Sequence, residues 1–195
     1  MNKRETQGND TVYYALFNGS SSVFVLPMTG CSLELEVVRN YLEQNMVSQK
    51  HILPYHWQHR YDQRKYHLLF DKYDKTLSSY IWADVGLKKK IRIIRQVVIG
   101  LQSLHRQKIW HGDLSPRNIV ASRGRIKLKG ITCIGEILKD MKILRRLVLY
   151  IAFGGRYAFN HITSLRAGEI CNDVSGDSHA TPILCDLVSE IPNGA

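Results

Sequence analysis

Cysteine is scarce and scattered in this chain: Cys31, Cys133, Cys171 and Cys185 are the only four, and no two form a CxxC pair. That spacing argues against a zinc site or a disulfide framework and for reduced thiols. No apolar run approaches the length that crosses a bilayer, and the opening residues MNKRETQGND lack the apolar segment of a secretory signal. The expectation is a cytoplasmic protein with no membrane partner. Internal repeats and low-complexity tracts are missing too. Two narrower gaps matter later. No lysine stands between Lys3 and Lys50, and no carboxylate between Asp113 and Glu136.

What is present suits a globular chain. Its 195 residues are 44% hydrophobic and 23% charged, enough to bury a core as one domain or a two-lobed one. The net charge of +10 directs attention to nucleic acid. However, Lys88, Lys89, Lys90, Arg92 and Arg95 share a segment with Leu87, Ile91, Ile94, Val98, Leu101 and Leu104. Those apolar residues recur every three or four positions, so the basic residues read as the wet face of an amphipathic helix.

The first third alternates like strands. Val12–Phe17 and Val23–Met28 are rich in β-branched and aromatic residues and are joined by Asn18-Gly19-Ser20, a hairpin turn signal. Leu33–Gln44 carries Leu35, Val38 and Leu42 at helical spacing. Ile52–Trp57 and Lys65–Phe70 are further strands, with the polar stretch Gln58–Arg64 between them. From Thr76 the character becomes helical. Thr76–Trp82 and Leu87–Gln107 read as helices, Ile119–Ala121 and Ile126–Leu128 as short strands, and Ile137–Phe153 as a helix closed by Gly154-Gly155. A last helix is expected from Thr181-Pro182.

The most specific feature is His111-Gly112-Asp113-Leu114-Ser115-Pro116-Arg117-Asn118. It fits H-x-D-L-x-P-x-N, the catalytic loop of protein kinases. In that chemistry the aspartate accepts the proton of the attacking hydroxyl, and the asparagine holds a metal ion on the phosphates. A long amphipathic helix before the loop and two short strands after it agree with that context.

The chain therefore resembles a protein kinase domain. Within kinases it is most similar to RNase L-type domains and the inositol-requiring unfolded-protein sensor kinase. Asp140–Ile151 (DMKILRRLVLYI) followed by Gly154–Phe159 (GGRYAF) carries that likeness, with support from Asp186–Ile191 and Val12-Tyr13. The resemblance implies a bilobal α+β fold, C-terminally truncated: a small β-rich lobe over 1–70, a hinge over 71–75 and a helical lobe over 76–195.

The departures from the kinase pattern are as specific as the match. Glu36 (or Glu34) corresponds to the helix glutamate that pairs with a phosphate-binding lysine, but the lysine position falls at Leu26 or Pro27. The glycine-rich loop is kept only at Gly8. Gly130-Ile131-Thr132 stands where the metal-binding D-F-G triplet belongs, and Ser115 replaces the loop lysine. Gly112 takes the place of the arginine that reads a phosphorylated activation loop. Charged contacts of this kind are often worth 10²-fold or more in rate, to an order of magnitude. The resemblance thus implies a pseudokinase, with Asp113 at a vestigial proton-acceptor position and Asn118 as a partial metal site.

Phe70 and Tyr73 flank the hinge and either line a residual adenine pocket or fill it. ATP or ADP is expected to bind weakly and nearly independently of magnesium. The implied role is a nucleotide-binding or dimerisation module, with itself or a related kinase-like protein as partner. The chain stops where the resemblance implies a further helix and then a ribonuclease domain, so neither ribonuclease activity nor direct RNA binding is expected. Two other readings remain open: an active atypical kinase, and a decoy regulator of a full-length RNase L-like protein. His111 is expected to support the loop by packing. His51, His56 and His59 lack a spacing that gathers imidazoles on one face, which argues against a zinc site.

Overall fold

A computed structural model describes residues 3–7, 10–17, 21–29, 50–62, 65–131, 136–155 and 159. The expected helix over Leu33–Gln44, the C-terminal helix from Thr181-Pro182, the turn Asn18-Gly19-Ser20, Gly8 and Glu36 lie outside the described residues.

The first part is a five-stranded antiparallel sheet built from β1 (Lys3–Gln7), β2 (Asp10–Phe17), β3 (Ser21–Thr29), β4 (Tyr55–Asp62) and β5 (Lys65–Asp71). Its strand order is β1-β2-β3-β5-β4. β2, β3 and β5 fall where β-branched and aromatic residues place them. The two edges do not follow the sequence reading. β1 is polar throughout, and β4 runs on through Gln58–Asp62, a stretch whose polarity suggested a break. Both are edge strands, which need no alternating apolar pattern and are commonly polar.

Pro27 sits in β3 opposite His67, beyond Tyr13↔Val25, where the β2 register ends. There β3 has its β5 partner and no β2 pairing to break, so a residue without an N–H is tolerated.

The second part begins with β6 (Lys75–Thr76), which joins β7 (Ile119–Ser122) and β8 (Arg125–Leu128) in a three-stranded sheet. The expected helix over Thr76–Trp82 is corrected. Thr76 pairs with Val120, and the chain then makes two 3-10 turns, Leu77–Ser79 and Trp82–Asp84. Ser79 Oγ donates to the Thr76 carbonyl at 2.8 Å, a local side-chain bond that competes with helix in so short a segment.

Two helices carry the core. α1 (Leu87–His105) buries Ile93, Ile94, Val97, Leu101 and Leu104. Its apolar stripe is thus wider than the sequence spacing suggested, with Ile91 and Val98 half-buried. Lys88, Lys89, Arg92 and Arg95 are exposed as expected, but Lys90 is not purely a solvent group. Its Nζ donates to the Ala152 carbonyl at 3.0 Å, placing a cation on the electronegative end of the second helix. That helix, α2 (Ile137–Ala152), buries Leu144, Leu147, Val148 and Ile151. Each fully buried side chain of this size contributes about 1.5–3 kcal/mol relative to exposure.

The two parts are stitched by backbone. Leu53 N donates to Leu128 O at 2.8 Å and Asp74 N to Ala121 O at 2.8 Å. Among the described residues no helix is long and apolar enough to cross a membrane.

Candidate functional site

The His111–Asn118 loop leaves the end of α1 through a turn at Arg106–Lys108 and enters the β7–β8 hairpin through a 3-10 turn at Pro116–Asn118. Proline at the first position of that turn supplies its fixed φ and removes an N–H that has no helical partner there. Leu114 is fully buried and anchors the loop in the core.

Asp113 folds back on its own loop. Its Oδ1 accepts from Ser115 N at 3.2 Å, an Asx-type turn, and its Oδ2 accepts from Asn118 Nδ2 at 2.8 Å. Arg117 Nη2 also donates to Oδ2, at 3.2 Å, and Asn118 Nδ2 reaches the Asp113 carbonyl at 3.0 Å. Partial burial pushes the Asp113 carboxyl up, but the hydrogen bonds from Ser115 and Arg117 outweigh it and hold it below the ordinary carboxylate value. The carboxylate is stabilised as an anion, which makes it a weaker base.

Asn118 is fixed on both sides. Its backbone carbonyl accepts from Lys129 N at 2.9 Å. Its side-chain Oδ1 lies 3.0 Å from where a Cβ on Gly130 would stand. Gly130 has φ +71°, a left-handed conformation that few L-residues adopt. The close approach and the backbone both call for glycine at this point.

The loop is held from outside by a residue the motif does not contain. Asp140, fully buried on α2, accepts from His111 N at 2.7 Å, Gly112 N at 2.8 Å and His105 Nε2 at 2.9 Å. Burial alone would raise its pKa; the bonds from His105, Gly112 and His111 overcome that and lower it. Sequence reading noted the Asp140–Ile151 stretch but gave the carboxylate no role. The usable signal was that Asp140 shares a helical stripe with Leu144, Leu147 and Ile151, so an acid stands in register with buried apolar residues.

His111 is fully buried, as its packing role required. Its Nδ1 accepts from Asp113 N at 3.3 Å. Burial lowers its pKa to about 4, against the opposing pull of the Asp140 and Asp113 charges and backbone hydrogen bonds at Lys129 and His111 itself. A neutral imidazole therefore props the loop.

Phe70 and Tyr73 are each 3% exposed, at the end of β5 and just beyond it. Leu26 and Pro27, where the resemblance would put a phosphate-binding lysine, lie in β3 opposite Leu68 and His67. His51 is engaged through Nδ1 with the Ile126 carbonyl at 3.0 Å, while His56 and His59 lie on β4. Among the described residues no group of three His, Cys, Asp or Glu side chains converges as a metal site would. No protein-family model matches the chain and no curated protein matches it.

Proposed function

We propose that the chain is a catalytically degenerate, RNase L-type kinase-like domain of bilobal α+β architecture, working as a protein-interaction or dimerisation module. A five-stranded sheet, a short connection, a long helix, the H-x-D-L-x-P-x-N loop and a β-hairpin follow in the order the resemblance implies. The observation that carries the inactive reading is the state of Asp113. Both its oxygens are engaged by Ser115, Asn118 and Arg117, and the residue that faces Asn118 is Gly130.

The residues present do not fit magnesium. That ion takes octahedral oxygen ligands, commonly with one or two carboxylates. Here Asn118 Oδ1 faces a glycine, and the Asp113 carboxylate is bonded within its own loop. The residues instead hold the loop: Asp140 clamps its entry, His111 fills the space beneath, and Asn118 closes it on Asp113. Such a rigid loop suits a binding surface. Among the described residues Ile81 (71% exposed) is the most open of the large apolar side chains, with Ile137 and Leu138 also in water at the start of α2. The partner that fits is a second copy or a related kinase-like protein.

The test is a phosphate-transfer assay on the purified chain with magnesium and with manganese, beside Asp113→Ala. Background turnover in both proteins is expected. Turnover that disappears in Asp113→Ala overturns the reading and favours an active atypical kinase.

A further inference from the structure

Lysine is rarely buried unless it is held, yet Lys129 is only 9% exposed. It follows β8 directly, and its backbone N–H is pinned to the Asn118 carbonyl at 2.9 Å. Its side chain reaches the connection after β5. There Nζ stands 6.0 Å from the Phe70 ring centroid and 5.6 Å from that of Tyr73. Both distances are within the range at which an ammonium is attracted to an aromatic face. The two rings are themselves 3% exposed.

We propose that Lys129 is a built-in plug: its side chain lies over Phe70 and Tyr73, where a planar ligand such as an adenine ring would pack, and keeps adenine nucleotides out. The choice of ligand rests on the kinase-like reading above; the geometry of the plug does not. A flexible stem makes a good stopper, because its methylenes cover apolar surface while its head group finds the ring faces. An incoming base has to displace an ordered cation from two aromatics before it gains any contact of its own. The consequence is a domain shut to ADP and ATP by a residue from its own chain, and opened by shortening that residue.

Two measurements decide it. In the wild-type protein, amine acetylation followed by mass spectrometry reads the protection of Lys129 against exposed Lys88. At least tenfold slower modification of Lys129 is expected; equal rates overturn the plug. In Lys129→Ala, titration with a fluorescent ADP analogue without magnesium is expected to show at least tenfold tighter binding than wild type. A cooperatively folded Lys129→Ala with no gain overturns the occlusion, as does a wild-type protein that binds ADP as tightly as the variant. Where Lys129→Ala does not fold, the acetylation rates in the wild-type protein decide alone. Neither result touches the inactive reading of the loop, which falls only to phosphate transfer that depends on Asp113.

Discussion

Asp140 Oδ2 accepts a hydrogen bond from the backbone N–H of His111 at 2.7 Å, joining α2 to the candidate catalytic loop across 29 residues of chain. The Gly112 N–H and the His105 ring complete the set of donors on this carboxylate. Removing it strands buried donors, which cost about 1–3 kcal/mol each when left without partners. Asp140→Ala is expected to lose about 3–5 kcal/mol. Asp140→Asn, which keeps the shape but turns a donor toward donors, should lose roughly 2–3 kcal/mol. Urea unfolding near neutral pH measures both. A loss below about 1 kcal/mol in Asp140→Ala would show that the loop does not depend on this clamp.

The clamp and His111 give the protein separable responses to acid. His111 has a folded pKa of about 4, below its ordinary value of 6.5, so the unfolded chain binds the proton more readily. Stability therefore rises with pH through that window, is complete above about 6.5, and falls as pH drops toward 4. The span corresponds to roughly 3 kcal/mol. Asp140 acts lower still: its contribution is present above the ordinary carboxylate value of 3.8 and is lost as pH falls through its depressed folded pKa. His111→Gln is expected to flatten the stability profile between pH 6.5 and 4 while leaving the lower limb. Unfolding midpoints at stepped pH test this, and an unchanged slope in His111→Gln would assign the titration elsewhere.

The helices and the loop motif were legible because they repeat or match a spaced pattern. Leu144, Leu147 and Ile151 announce their face by period alone, and all three are buried. The H-x-D-L-x-P-x-N spacing located Asp113 and Asn118, whose side chains meet at 2.8 Å. At the edges of the large sheet, β1 was hidden because its sequence is polar throughout, and β4 was read only as far as Trp57 because Gln58–Asp62 carries no apolar signature. Thr76–Trp82 was misread because Thr76, Ser78 and Ser79 satisfy local groups with their own hydroxyls. Lys90, Lys129 and Asp140 were missed for a shared reason. Each is a charged residue doing buried work, and a charge in sequence gives no sign of which neighbour it will reach.

The junction of Trp82 with the end of α2 offers a test of packing. Gly155 has φ +69°, and a Cβ there would stand 2.9 Å from Trp82 Cδ1. Trp82 is held in turn edge-on to Tyr150, with ring centroids 5.8 Å apart. Gly155→Ala meets both the left-handed backbone and the indole, and is expected to cost about 2–3 kcal/mol. Gly124→Ala is the control: its φ is +73°, but nothing lies within 4 Å of the added carbon. That variant should lose only about 1–2 kcal/mol. Equal losses, measured by chemical unfolding, would show that Trp82 gives way without cost.

The site itself can be tested by restoring what its motif lacks. Gly130→Asp supplies a carboxylate at the place where the proposed kinase-like reading puts a metal ligand, and Gly130→Asn supplies the same shape without charge. Both residues tolerate φ near +71° better than most, so the backbone cost is about 1 kcal/mol in each. Both also meet Asn118 Oδ1, 3.0 Å from the new Cβ, and Asn118 is tied to Asp113 and to the Lys129 backbone. The aspartate adds repulsion from Asp113, worth up to about 1 kcal/mol near a partly exposed site and smaller in high salt. Gly130→Asp is therefore expected to be the less stable of the two at low salt, and neither should transfer phosphate. Thermal unfolding with and without magnesium reads the metal directly. A magnesium-dependent rise in melting temperature in Gly130→Asp, absent from Gly130→Asn, would mean that Asp113 and Asn118 can still release each other for an ion. In that event the loop is a metal site missing a single residue. Without that rise, the locked Asp113–Asn118 pair is the reason one substitution does not restore it.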